Sequence, residues 1–94
     1  SNIKVINAFN GVRIDEKGRF DVRIHVNGYI RVGRYKDALT AAIAYNKAAD
    51  ILMENGIEKA YSANYIDGLS PKSYADIYAS VTSPTAYINI TAKN

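Results

Sequence analysis

Cysteine is absent from this chain. That excludes disulfides and thiolate metal sites, and it fits a reducing compartment. Histidine occurs once, at His25, so no metal centre needing two histidines can form within the chain. No apolar run approaches the length of a membrane span, about 20 residues. The N-terminus lacks the charged-then-apolar pattern of a secretory signal. Neither a membrane partner nor a cofactor is expected. Proline is scarce: Ser70-Pro71 reads as the start of a helix, and Ser83-Pro84 as the end of one. Ninety-four residues make one small domain with a modest core. The chain opens on Ser1 rather than Met, as expected of a domain cut from a longer protein.

Positive charge is plentiful, but in one place. The net charge is only +3. Residues 11–36 nevertheless carry seven Lys/Arg (Arg13, Lys17, Arg19, Arg23, Arg31, Arg34, Lys36) against three acids (Asp15, Glu16, Asp21), a net of +4. The remainder carries five against six, a net of −1. A basic patch on a near-neutral domain is an electrostatic footprint for a polyanion. An ordinary solvated face is the bland alternative.

The same stretch alternates. Val12, Ile14, Phe20, Val22, Ile24, Ile30 and Val32 fall on one side. Arg13, Asp21, Arg23, His25, Tyr29 and Arg31 fall on the other. Period-2 alternation predicts strands with one buried and one wet face. Strands are expected over residues 11–14, 19–25 and 29–35, with a turn over 15–18. Asn27-Gly28 marks the second hairpin. A two-residue loop there would set Val26 opposite Tyr29 and turn Ile30 and Val32 to water. A three-residue loop, Val26-Asn27-Gly28 with Gly28 left-handed, sets His25 opposite Tyr29, Ile24 opposite Ile30 and Arg23 opposite Arg31. The first hairpin sets Arg13 opposite Asp21, an expected orienting pair of little stabilising value. Arg23 and Arg31 are like charges across a ladder, which costs roughly a few tenths of a kcal/mol unless an anion compensates.

Asp37 is a good helix N-cap, and Ala38–Glu54 follows as a helix. Its stripe is Ala38, Ala41, Ala42, Tyr45, Ala48, Ala49 and Leu52, with Ile43 and Ile51 on the flanks. Small side chains there let the helix axis lie close to the sheet. Asn55-Gly56 ends it. Residues 57–69 read as irregular, with Tyr61, Tyr65 and Ile66 covering one end of the core. A short helix over 71–81 should present Tyr74, Ile77, Tyr78 and Val81 on one face. Residues 2–9 read as an arm or edge strand, and 87–91 as a final strand or tail. The expected class is α+β: a three-stranded antiparallel sheet on one long helix, with a short C-terminal helix and an extra strand.

Several segments together carry a family likeness. They are Gly11-Val12-Arg13, Gly18-Arg19-Phe20, Arg23-Ile24, Gly33-Arg34-Tyr35, the run AAIAYNKAA over 41–49, and Asn64-Tyr65. The chain resembles the AP2/ERF DNA-binding domain over residues 9–65. GRY and AAIAYNKAA are the most specific parts. The resemblance implies a sheet, not a helix, in the major groove. It implies residues 1–69 as an AP2-like domain with an N-terminal arm or edge strand, and 70–94 as a C-terminal extension of the same domain. The chain is more similar to the AP2-like domains of phage and bacterial homing endonucleases than to the plant factors. Asn10 and Asp15 stand where the plant pattern has Arg, Lys17 and Arg31 where it has Trp, and Arg23 where it has Glu. The plant target sequence therefore does not carry over.

The expected partner is double-stranded DNA. The candidate contacts are Arg13, Lys17, Arg19, Arg23, His25, Tyr29 and Arg31. Arg pairs bidentately with guanine or phosphate, Tyr29 offers a stacking ring, and His25 a polar contact. No carboxylate pair or nucleophile stands in a catalytic context, so no enzyme is expected of this chain alone. The resemblance implies the targeting domain of a phage or bacterial endonuclease, or a small regulator. It would act in the bacterial cytoplasm, or in the nucleus of a eukaryote. A rival reading is a protein-interaction module whose tyrosine-rich C-terminal extension joins a partner or forms a homodimer. A further one is the arm-type domain of tyrosine integrases, which shares the three-strand-and-helix plan but lacks AAIAYNKAA.

Overall fold

The structure, a computed structural model, describes residues 9–82. The arm or strand expected over 2–9 (Phe9 apart), the break at Pro84 and the strand expected over 87–91 lie outside them. Three strands, β1 (Val12–Ile14), β2 (Phe20–His25) and β3 (Tyr29–Tyr35), precede two helices, α1 (Ala38–Glu54) and α2 (Pro71–Ser80). The sheet is antiparallel in the order β1-β2-β3. The three-residue loop is as expected: His25 pairs with Tyr29, Ile24 with Ile30 and Arg23 with Arg31. Gly28 takes φ 120°, and the Val26 N–H donates to the Gly28 carbonyl at 3.0 Å across the loop.

The ladder then departs from simple alternation. Arg23 faces Arg31, but Val22 faces Gly33. Val32 is therefore an extra residue on β3, a β-bulge. Past it the parity of β3 inverts, so Arg34 faces Asp21 and Tyr35 faces Phe20.

Asp37 caps α1 by accepting from the Thr40 N–H at 2.7 Å, and Gly56 ends it at φ 92°. Ala41, Ala44, Ala48, Ala49, Tyr45 and Leu52 join Val12, Val22, Ile24 and Val32 in the core. Alanines at the contact bring the helix close to the sheet. Each fully buried Val, Ile or Leu here contributes about 1.5–3 kcal/mol. Three expectations need correcting. Ile14 is 41% exposed, because β1 ends there and the described residues leave it only partly covered. Ile43 is fully buried rather than flanking. Ala42 is buried but lies outside the sheet-facing cluster.

The reason lies on the far side of α1, where Asn46, Lys47 and Asp50, which share a helix face with Ile43, meet the C-terminal segment. Asn46 Nδ2 donates to the Asn64 carbonyl (2.9 Å) and to Tyr74 Oη (3.0 Å). Asn46 Oδ1 accepts from the Asn64 N–H (2.6 Å). Asn64 in turn exchanges two hydrogen bonds with the Asn10 backbone, at 2.6 and 3.1 Å. The buried Asn46–Asn64 pair thus ties the start of the sheet, α1 and α2 together, with every polar atom satisfied. Lys47 Nζ donates to the Tyr78 and Val81 carbonyls, and Tyr78 Oη to Asp50 Oδ2 at 2.8 Å. Burial and that Asp50 contact push the Tyr78 hydroxyl pKa well up. Helix α2 docks through these contacts, with Val81 5% exposed in the core. Tyr65 is 82% exposed and covers nothing.

Candidate nucleic-acid interface

The face of the sheet away from α1 carries arginine from every strand: Arg13 on β1, Arg23 on β2, and Arg31 and Arg34 on β3. Alternation put the first three there. The Val32 bulge adds Arg34, which period-2 counting assigns to the core side. These four line one shallow groove around Asp21.

Asp21 was expected on the wet face. It is 4% exposed, roofed by the arginines it serves. Arg23 Nε donates to its Oδ2 at 3.2 Å and Arg31 Nε to its Oδ1 at 3.0 Å. Arg34 Nε lies 3.9 Å from Oδ1. The expected Arg13–Asp21 pair does not form: both carboxylate oxygens are taken, and among the described residues Arg13 has no ion pair. Asp21 is instead the anion that lets Arg23 and Arg31 sit opposite each other. Asp15 and Glu16 also line the groove, but its four arginines outnumber its three acids, so it keeps a net positive charge. Both hydrogen bonds come from Nε, so the terminal guanidinium N–H groups have no hydrogen-bond partner among the described residues. Those are the donors that can fork onto guanine O6 and N7.

The first turn is built on Asp15. Its Oδ1 accepts from the Lys17 and Arg19 N–H groups, each at 2.9 Å, and its Oδ2 from Arg19 Nε at 3.0 Å. The Arg19 backbone N–H, followed by that of Lys17 and the Arg19 side chain, holds the Asp15 carboxyl below the ordinary aspartate range. Arg34 Nε also approaches Asp15, at 3.7 Å. Arg19 is thus oriented by an acid, while Lys17 has no ion pair among the described residues.

At the opposite end of the hairpin Tyr29 is 75% exposed. Its ring stands edge-on to His25, with centroids 5.1 Å apart. A second shallow groove, lined by Gly11, Arg13, Arg23 and Tyr29, continues the first along the face. Arg13, Arg23, Arg31 and Tyr29 are therefore brought together. Lys17 and Arg19 sit at one end, and His25 turns to the other.

Gly11 fixes where this face meets the core. Its φ is 75°, and a Cβ there would lie 2.3 Å from the Tyr45 ring and 2.6 Å from the Arg23 carbonyl. Tyr45 is a core residue, 9% exposed, with its hydroxyl pKa raised by burial.

Sequence reasoning missed Arg34, and its signal was present. A glycine inside a strand marks a bulge or a close approach, and Gly33 adjoins the Val32 bulge. Among the described residues no three His, Cys, Asp or Glu side chains gather to hold a metal, and no helix is long and apolar enough to cross a membrane. No protein-family model, curated protein or solved structure matches this chain.

Proposed function

We propose that the chain is a double-stranded-DNA-binding module that seats its three-stranded sheet in the major groove. The observation that carries this reading is the arginine cluster. Arginines from all three strands share one face, and a buried carboxylate orients two of them by Nε. Burying Asp21 under Arg23 and Arg31 serves a planar, polyanionic ligand better than it serves stability, since half-exposed ion pairs contribute little. A narrow sheet fits a major groove about 12 Å wide. The resemblance to the AP2/ERF domain supports the same docking. The function is recognition: the targeting domain of a phage or bacterial endonuclease, or a small DNA-binding regulator.

The test is affinity for a random duplex library across a salt series, followed by selection of the tightest binders. Log K should fall linearly with log salt as counterions are released, and selection should enrich one sequence. Absence of binding at about 50 mM salt, or an affinity indifferent to salt, overturns the reading.

A further inference from the structure

Strand β1 is short, and among the described residues its pairing with β2 stops just before Val12. The last link is the Arg23 N–H donating to the Gly11 carbonyl at 2.9 Å. Past that point the segment after α1 comes alongside. Tyr61 Oη donates to the His25 carbonyl at 2.6 Å, and Asn10 Nδ2 to the Ser62 carbonyl at 2.9 Å. Between this segment and the sheet lies a cleft of about 360 Å³. Arg23, His25, Tyr29, Lys59 and Tyr61 line it, and among the described residues no acid does.

Lys59 is the unexpected member. Its ammonium contacts His25 Nδ1 and lies 6.0 Å from the centroid of the Tyr61 ring. Among the described residues it has no carboxylate partner, unlike Arg19, Arg23, Arg31, Arg34 and Lys72. An ammonium has three protons, so the contact with His25 leaves two to offer. His25 presents its other ring nitrogen, Nε2, which in the tautomer that accepts at Nδ1 is a further donor. Tyr29 contributes a hydroxyl.

We infer that this cleft is a phosphate-binding site, in which Lys59 and His25 hold a backbone phosphodiester of the DNA beside the sheet. The inference rests on the DNA-binding reading above and adds a contact outside the sheet. A donor-rich, acid-free cleft suits an acceptor-only anion; a base edge presents donors as well as acceptors. Continuity supports it too. Arg23 and Tyr29 line both this cleft and the groove on the sheet face, so a strand flanking that groove crosses the mouth of the cleft. Lys59 would anchor register without reading sequence.

The experiment compares the wild-type chain with Lys59→Gln, Lys59→Arg and Lys72→Gln on duplex DNA across a salt series. Lys72 lies on α2, paired with Asp76 at 2.9 Å, and controls for the loss of one positive charge. Lys59→Gln should reduce the salt slope by about one, equally on selected and random DNA. Lys59→Arg should restore it, and Lys72→Gln should leave it alone. Duplexes with single phosphates replaced by neutral methylphosphonates then locate the contact. One such replacement should weaken the wild type and leave Lys59→Gln unaffected. Equal slope changes for Lys59→Gln and Lys72→Gln, or no phosphate that shows this pattern, overturn the site while DNA binding stands. Failure of the wild type to bind at low salt overturns the function and the site together.

Discussion

Arg34 faces Asp21 because Val32 has no partner on β2. In an unbroken ladder Arg34 would face Phe20 and point at the helix. The bulge turns a core-side arginine outward and places a third guanidinium beside a carboxylate already holding Arg23 and Arg31. A bulge also increases local twist, which brings β3 across the end of β2 where Asp15 and Asp21 converge on Arg34.

Asp21→Asn tests that arrangement. Asparagine keeps the shape and removes the charge that orients Arg23 and Arg31. Stability should fall by only about 0.2–1 kcal/mol, since both arginines are half-exposed. DNA binding should change in two opposite ways. One positive charge more strengthens affinity for random duplex. Freed arginines lose their aim, so the ratio of selected to random affinity drops. A urea melt and paired binding curves read both. Unchanged discrimination would mean that Asp21 is structural only.

Much of this was legible in the sequence, and the residues say why. Alternation, a glycine-closed loop and an N-cap are local signals, and they located β2, β3, α1 and the facing pairs Arg23–Arg31 and His25–Tyr29. Relations between segments distant in sequence were not legible. The rescue of the Arg23–Arg31 repulsion by Asp21, the Asn46–Asn64 pairing 18 residues apart and the approach of Lys59 to His25 34 residues away leave no periodic trace. Ile43 was misassigned because an amphipathic stripe reports one buried face, and α1 is covered on two.

Gly11 and Gly18 separate packing from backbone strain. Both have positive φ, 75° and 79°. A Cβ at Gly18 meets nothing within 4 Å, whereas one at Gly11 collides with the Tyr45 ring and the Arg23 carbonyl. Gly18→Ala should therefore cost about 1–2 kcal/mol, the left-handed backbone penalty alone. Gly11→Ala should cost that plus about 1–3 kcal/mol of overpacking. Thermal melts should rank them in that order, and equal losses would show that Tyr45 yields freely.

The Asp15 turn has a pH dependence of known sign. Its carboxyl pKa is lowered from the ordinary 3.8 in the folded protein, chiefly by the Arg19 backbone N–H. A depressed carboxylate pKa means that the folded state binds the proton less readily. The contribution is therefore fully present above 3.8 and is lost as pH falls through the lower folded value. An NMR titration from about pH 5 to pH 2 should move the Lys17 and Arg19 amide resonances together. Asp15→Asn should flatten that response. Amides that titrate above the ordinary aspartate value would reverse the assignment.

On the DNA-binding proposal, the residues of the face would divide their labour by position. Arg23 is on the central strand, flanked by Arg13 and Arg31, so in a groove-seated sheet it lies nearest the base edges. Lys17 is at the turn, with no ion pair among the described residues, where in a groove-seated sheet it would meet the phosphates. Base contacts specify and phosphate contacts position. Arg23→Ala should cost about 1–3 kcal/mol on the selected sequence and relax preference at one or two base pairs. Lys17→Ala should weaken every sequence alike and reduce the salt slope by about one. Arg34→Ala reports on the bulge: an arginine turned outward by Val32 to touch DNA should resemble one of these two, whereas one that only bridges Asp15 and Asp21 should alter stability alone. Each variant must first melt cooperatively, since arginine stems also cover apolar surface. Identical effects of Arg23→Ala and Lys17→Ala on selected and random DNA would make the sheet a non-specific electrostatic platform. Neither having any effect would move the binding surface off the sheet altogether.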